Sequence, residues 1–176
     1  MTDTTLTDID FDSFCDIMGS FATGVSVLTT VDDAGQPCGM TCSAVCSVSA
    51  EPPLLLTCVR TPSATLDAIS ATGRFVANIL DTNGRELSRV FASRSNEKFS
   101  TVSWQPSAVL GLPLLEPTVA YAECALHDIV EAGDHVVVLG RVVGGAVRHD
   151  RFPLGYWRGS YVGVFRVTPP REARRK

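Results

Sequence analysis

Apolar positions along this 176-residue chain change their spacing several times, and each change marks an element. Phe11, Phe14, Cys15 and Met18 fall at i, i+3, i+4 and i+7, which predicts a short helix over 10–19 with one apolar stripe, ended by Gly19. Short strands are predicted over 24–31, 38–48 and 53–59, the first two joined by the turn Asp32–Pro37. Thr61 reads as an N-cap with Pro62 at the first helical position, and Leu66 and Ile69 give that helix a buried side. Residues 74–80 read as a strand. Asn83 and Glu86 resemble a capping box that opens a further helix, with Leu87, Val90 and Phe91 inward. Residues 93–117 are loop-rich, with Pro106, Pro113 and Pro117. Two long strands then run from Thr118 to about Arg148, turning at Ala132-Gly133-Asp134, and a last strand spans 161–167. The stretch Val136–Val143 is apolar on both faces, so it is expected to be central, covered by a barrel interior on one side and by a helix or second subunit on the other.

Six or more short strands with few helices, not alternating with them regularly, predict a mainly β protein whose sheet curls into a barrel to remove exposed edges. One domain is expected over 10–167, between a flexible start at 1–9 and a basic, mobile tail at 168–176. The chain contains no G-x-G-x-x-G and no P-loop. At 45% hydrophobic and 19% charged it can bury a sizeable core. A net charge of -4 argues against nucleic acid as a partner, and no apolar run is long enough for a membrane span. The acidic, polar N-terminus is unlike a secretory signal, so a cytoplasmic protein is expected.

Six cysteines leave a metal site to be weighed. Cys38, Cys42 and Cys46 are spaced by four, but along one strand at about 3.3 Å per residue the outer two lie roughly 26 Å apart. No metal is therefore expected, and the cysteines read as reduced, small hydrophobes.

The segment Gly39-Met-Thr-Cys-Ser-Ala-Val-Cys-Ser-Val-Ser49 is lined with small hydroxyl, thiol and methyl groups. A strand that gives up bulk loses packing unless something flat lies against it, and a flavin ring fits that description. Phe21-Ala-Thr-Gly-Val-Ser-Val-Leu-Thr-Thr30, this segment and Pro52-Pro53-Leu54-Leu55-Leu56 together resemble the flavin reductase partners of two-component flavin-dependent monooxygenases. The likeness continues through Gly73–Leu80, Leu87–Ala92, Lys98-Phe99, Gly133-Asp-His135 and Tyr156-Trp-Arg-Gly159, over roughly residues 12–165. It implies a split β-barrel (FMN-binding type) and a homodimer with flavin near the subunit boundary. It also implies FAD or FMN and NADH or NADPH as cofactors, and a monooxygenase that receives the reduced flavin.

The resemblance maps onto particular residues, each with a plainer role beside it. Met40, Thr41, Cys42, Ser43 and Ala44 are ring-edge contacts, or an ordinary Thr/Ser-rich strand. Ser63 and Thr65 lie at a helix start suited to an anion, or merely cap it, and Cys58, Val59 and Arg60 lead into that corner. Asn78 is a core amide or a ligand contact. Ser88, Arg89, Phe91 and Ala92 match a second flavin-contacting segment, followed by Lys98 and Phe99. Arg85, Arg89, Arg94 and Lys98 form a cofactor rim or a solvated basic face. His135 faces the nicotinamide side as the catalytic candidate, with Tyr156 and Arg158 near the same pocket, and Trp157 leaves open which neighbouring ring points inward. The implied activity is NAD(P)H-dependent reduction of flavin, which needs held rings and placed donors more than a protein nucleophile. A non-enzymatic flavin-binding or electron-carrier module is the alternative.

Overall fold

A computed structural model describes residues 7–95 and 97–165. The tail at 168–176, the last two residues of the final predicted strand and most of the predicted flexible start lie outside the described residues.

Helix α1 (Phe11–Gly19) is capped by Asp10, whose carboxylate accepts the Ser13 N–H at 2.9 Å. Its apolar stripe does not turn into the core. No residue of α1 is buried, and Phe11 is 78% exposed. After the short β1 (Thr23–Gly24) comes β2 (Ser26–Val31). The single strand expected over 38–48 is in fact two, β3 (Pro37–Cys42) and β4 (Val45–Ala50), broken at Ser43-Ala44. The reason is topological: β3 pairs with β2, whereas β4 pairs with β5 (Pro53–Arg60) at the far edge of the same sheet. The straight-strand distance between Cys38 and Cys46 therefore does not apply, and it is the sheet order that puts them on opposite edges. Among the described residues no group of three His, Cys, Asp or Glu side chains is placed to hold a metal.

The chain continues through α2 (Ala64–Thr72), β6 (Arg74–Leu80), α3 (Arg85–Ala92), the short hairpin β7 (Trp104–Pro106) and β8 (Pro113–Leu115), the long pair β9 (Thr118–Ala132) and β10 (His135–Val147), and β11 (Leu154–Trp157) with β12 (Ser160–Gly163). The main sheet runs β3-β2-β6-β9-β10-β5-β4, antiparallel at each pairing. It curls until the end of β3 reaches β5, just past the start of the other edge strand, β4. There Cys42 Sγ lies 3.0 Å from Thr57 Oγ1 and donates to the Cys58 carbonyl at 3.3 Å, and the Cys58 N–H donates to the Ala44 carbonyl at 3.1 Å. The ladder does not run fully round, so the barrel is mainly β and split.

Inside the curl, Leu28, Val59, Phe75, Val136 and Val138 pack with Leu66 and Ile69 of α2. Gly140 is small because a Cβ there would stand 2.6 Å from the Phe75 ring. A second cluster joins Leu87 and Phe91 of α3 to Val25, Val27, Leu80, Leu115 and Leu154. β10 is central, as its apolar run predicts. Only alternate residues, Val136, Val138 and Gly140, are buried, whereas Val137 and Leu139 stay half-buried and Val143 is exposed. The capping box at Asn83 and Glu86 does not form: the N-cap is Gly84, without a side-chain cap, and Glu86 pairs with Arg89 instead.

Two buried polar side chains hold segments that periodicity does not register. Asn78 donates to the Val27 carbonyl and Thr29 Oγ1 and accepts from the Leu115 N–H, tying β2, β6 and β8 together. Glu123, fully buried on β9, accepts from Ser107 Oγ and from the N–H groups of Val109 and Leu110. Its carboxylate substitutes for a missing strand partner and pins the 107–112 loop. Replacing Glu123 by alanine leaves the buried Ser107 hydroxyl without its acceptor, at about 1–3 kcal/mol, while the N–H groups of exposed Val109 and half-buried Leu110 can turn to water. Glu123→Ala is expected to lose about 1–3 kcal/mol, seen as a lower denaturation midpoint with an unchanged m-value.

Candidate functional site

β3 divides two groups of residues that the sequence singled out. Thr41 and Ser43 face one way and Met40 the other, as alternation in a strand requires. On the Thr41 side a cleft of about 290 Å³ is lined by Val25, Thr41, Ser43, Ser88, Ala92, Tyr156 and Tyr161. Thr41 Oγ1 donates to the Ser88 carbonyl at 2.6 Å, which seats β3 against α3. The buried Ser88 hydroxyl and the Tyr161 hydroxyl share a hydrogen bond of 3.0 Å. Tyr161 meets Tyr156 edge to face with centroids 5.4 Å apart, and the Arg85 guanidinium lies 5.8 Å from the Tyr161 ring centre. One wall is thus hydroxyl-rich and the other aromatic.

The aromatic wall is carried by the β11–β12 hairpin. Its turn takes Arg158 and Gly159 through positive φ, and the Arg158 N–H donates to the Gly19 carbonyl. Trp157 Nε1 donates to the Ser20 carbonyl, and the Arg158 guanidinium reaches Ser20 Oγ. These contacts answer which ring points inward: Tyr156 lines the cleft and Trp157 anchors the hairpin to the end of α1. Arg158, expected beside the pocket, is turned to α1 instead.

On the other side of β3, Met40 Sδ lies 3.6 Å from Ser63 Oγ. Ser63, not Thr61, is the N-cap of α2, accepting the Leu66 N–H at 3.3 Å. Thr61 is pulled off the helix because its N–H and hydroxyl both donate to the Asp134 carbonyl. Thr65 is buried in the first turn. Arg60 is opposite His135 in the β5–β10 register, and its Nε lies 3.7 Å from Asp134 Oδ2. His135 Nδ1 stands 2.7 Å from Asp134 Oδ1. That bond, before the charges of His135 and Arg60, holds the Asp134 carboxyl below its ordinary range. Ala44 lies exposed at the break between β3 and β4, beside Cys58.

Other expected contacts are drawn into the scaffold. The Asn78 amide is wholly engaged in the core, which decides between its two readings in favour of the structural one. The side chains of Val59 and Phe91 are buried in the two cores, and Phe99 packs edge-on against Phe91. The Cys42 thiol is buried in the barrel seam. Lys98 leaves the basic rim: its Nζ donates to the carbonyls of Gly39 and Phe91, clamping β3 to α3, and partial burial lowers its pKa while Cys38 pulls the other way. Arg89 is paired with Glu86 on the exposed face of α3. The sequence reading passed over Val25 and Tyr161. Tyr161 was recoverable from pairing, since it stands directly opposite Tyr156 in a two-stranded ladder.

Residues 18–164 match the family described as the flavin reductase like domain. A flavin reductase (NADH) of Kitasatospora aureofaciens is 44% identical over 155 residues, spanning 87% of this chain and 81% of that protein. The solved nitrilotriacetate monooxygenase component B of Mycobacterium thermoresistibile superposes with a TM-score of 0.84 at 37% identity, covering 93% of this chain and 92% of that one. A Streptomyces globisporus NADH:FAD oxidoreductase, solved with NAD and FAD fragments, gives 0.83 at 32% identity over 97% and 99% of the two chains. The chain belongs to the flavin reductase like family.

Tyr161→Phe removes the partner of the buried Ser88 hydroxyl while keeping the ring. A loss of about 1–2 kcal/mol is expected, measured by denaturant titration. A loss of that size fixes the hydroxyl pair as part of the folded cleft.

Proposed function

We propose that this member of the flavin reductase like family oxidises NADH or NADPH, reduces FAD or FMN, and passes the reduced flavin to a separate monooxygenase. The observation that carries the reading is the cleft in which Thr41, Ser43, Ser88 and Tyr161 set hydroxyls opposite an aromatic wall of Tyr156 and Tyr161. A flat ring with polar edges fits that donor set. The matched reductases support the activity, and the monooxygenase component among the solved structures supports the kind of partner.

The flavin supplies the chemistry when bound, since it accepts hydride from a nicotinamide without a protein nucleophile. The chain's residues bind and orient. Thr41, Ser43, Ser88 and Tyr161 hold the ring edge, while Met40, Cys42, Ala44 and Cys58 shape the seam beside it. Ser63, at the N-terminus of α2, and Arg60 receive phosphate, where free N–H groups and the helix dipole favour an anion. His135 turns to the nicotinamide carboxamide. Asn78, Val59, Phe91, Phe99 and Lys98 act by holding these elements in place.

The uncovered stripe of α1 and the half-covered outer side of β10, both apolar surface that a second copy would bury, support a homodimer. The compartment is the cytoplasm. The electron-carrier alternative differs in one kinetic respect. In a reductase that exports its product, NAD(P)H oxidation rises with free flavin and saturates. In a carrier it depends on one tightly held flavin per chain and ignores added flavin. Steady-state absorbance at varied FAD and FMN is expected to show the saturable dependence.

The phosphate corner makes a second expectation. Ser63→Ala removes a hydroxyl from a charged ligand, worth about 1.5–3 kcal/mol, so FMN affinity is expected to fall roughly tenfold or more. Riboflavin, lacking the phosphate, is expected to lose little. Equal losses in a fluorescence titration of both ligands would mark Ser63 as a helix cap alone.

A further inference from the structure

Asp134 is 71% exposed on its side chain, yet it gathers four contacts. Its carbonyl accepts both the N–H and the hydroxyl of Thr61, at 3.0 and 3.3 Å. One carboxylate oxygen lies 2.7 Å from His135 Nδ1, and the other lies 3.7 Å from Arg60 Nε. It sits in the tight β9–β10 turn, where Gly133 takes φ 70 and aims the next residues back over the end of β5. An exposed turn residue needs none of these partners for solubility. Together they fasten the turn to the segment that enters α2 and fix one edge of the His135 ring.

We propose that Asp134 is the positioning residue of the site. Its carboxylate keeps His135 in the tautomer with hydrogen on Nδ1, so that the Nε2 lone pair stands free to accept from the nicotinamide carboxamide. The inference rests on the proposed role of His135 at the nicotinamide. Its chemistry is independent of that role, because a histidine's tautomer is set by whatever its other nitrogen binds. Nδ1 is an obligate donor when it faces a carboxylate, and Nε2 of the neutral ring is then an acceptor. A carboxamide NH₂ is the donor such a lone pair selects, and a ring turned by a wrong tautomer would present N–H to N–H. Asp134 moves no proton in the reaction and touches neither ring. It acts through His135, and its second carboxylate oxygen faces Arg60 Nε at 3.7 Å.

The side chain can be removed without undoing the turn, because both Thr61 contacts are to the main-chain carbonyl of Asp134. The test uses the full chain with FAD bound, as wild type, Asp134→Ala, Asp134→Asn, His135→Ala and the Asp134→Ala/His135→Ala pair. Nitrogen NMR of the imidazoles, with His135 assigned by its own substitution, reads the tautomer. Stopped-flow mixing with NADH and NADPH reads the rate of flavin reduction. The Nδ1–H form is expected in wild type and its loss in Asp134→Ala. Asp134→Asn keeps an acceptor oxygen and is expected in between. Reduction is expected to slow on the order of tenfold in Asp134→Ala, the scale of a slightly misplaced orienting group, with flavin affinity within twofold and no further slowing in the double variant beyond His135→Ala. An unchanged tautomer in Asp134→Ala overturns the inference, as does a full additional loss in the double variant. If His135→Ala reduces flavin at the wild-type rate, the placement of the nicotinamide fails instead, and the tautomer result still decides what Asp134 does to the ring.

Discussion

The seam where Cys42 meets Thr57 and Cys58 is the constraint on which the rest depends. Consecutive strands β3 and β4 lie at opposite edges of a seven-stranded sheet. Two residues, Ser43 and Ala44, must carry the chain from one edge to the other, so the sheet has to curl until β3 reaches β5 beside the start of β4. The contacts that fasten it are modest: a thiol near a hydroxyl, a thiol on a carbonyl and one backbone bond. Their position matters more than their strength. They set Thr41 against α3 on one side and Met40 against Ser63 on the other, so a single short strand borders both the hydroxyl-lined cleft and the start of α2.

Much of the scaffold was legible in the sequence because its signals are local. The strand 74–80 was read to the residue, and the turn at 132–134 was marked by a glycine that the backbone requires at φ 70. The break in the predicted strand 38–48 was not legible, since nothing in that run is polar enough or stiff enough to interrupt an extended chain. Only the sheet order, which puts the β2–β3 and β4–β5 hairpins at opposite ends of the sheet, forces the interruption. The same holds for the caps. Ser63 displaced Thr61 because Asp134, more than seventy residues on, takes up both Thr61 donors. Asn83 and Glu86 have the right spacing, yet Glu86 finds Arg89.

The candidate site divides by the same logic. Hydroxyl and aromatic residues reach the cleft, where strand alternation decides their direction. The cations expected at its rim are partly claimed by the scaffold, Lys98 by two carbonyls and Arg158 by the end of α1. A charge in a sequence gives no sign of whether an unsatisfied carbonyl stands nearby, so these residues were indistinguishable from ligand contacts until the fold placed them. Buried Glu123 and Asn78 show the converse, polar groups that stabilise loops and strands and leave no periodic trace.

The aromatic wall has a temporal consequence. Tyr156 and Tyr161 belong to a hairpin that docks on Gly19, Ser20 and Thr23, segments made more than a hundred residues earlier. At about 5–20 residues per second, on the order of ten seconds of translation separate the two halves of that contact. The hydroxyl wall can form on the growing chain, but the cleft stays open on one side until the hairpin emerges. A chain that stops before the hairpin would therefore keep the hydroxyl wall and lack the aromatic one.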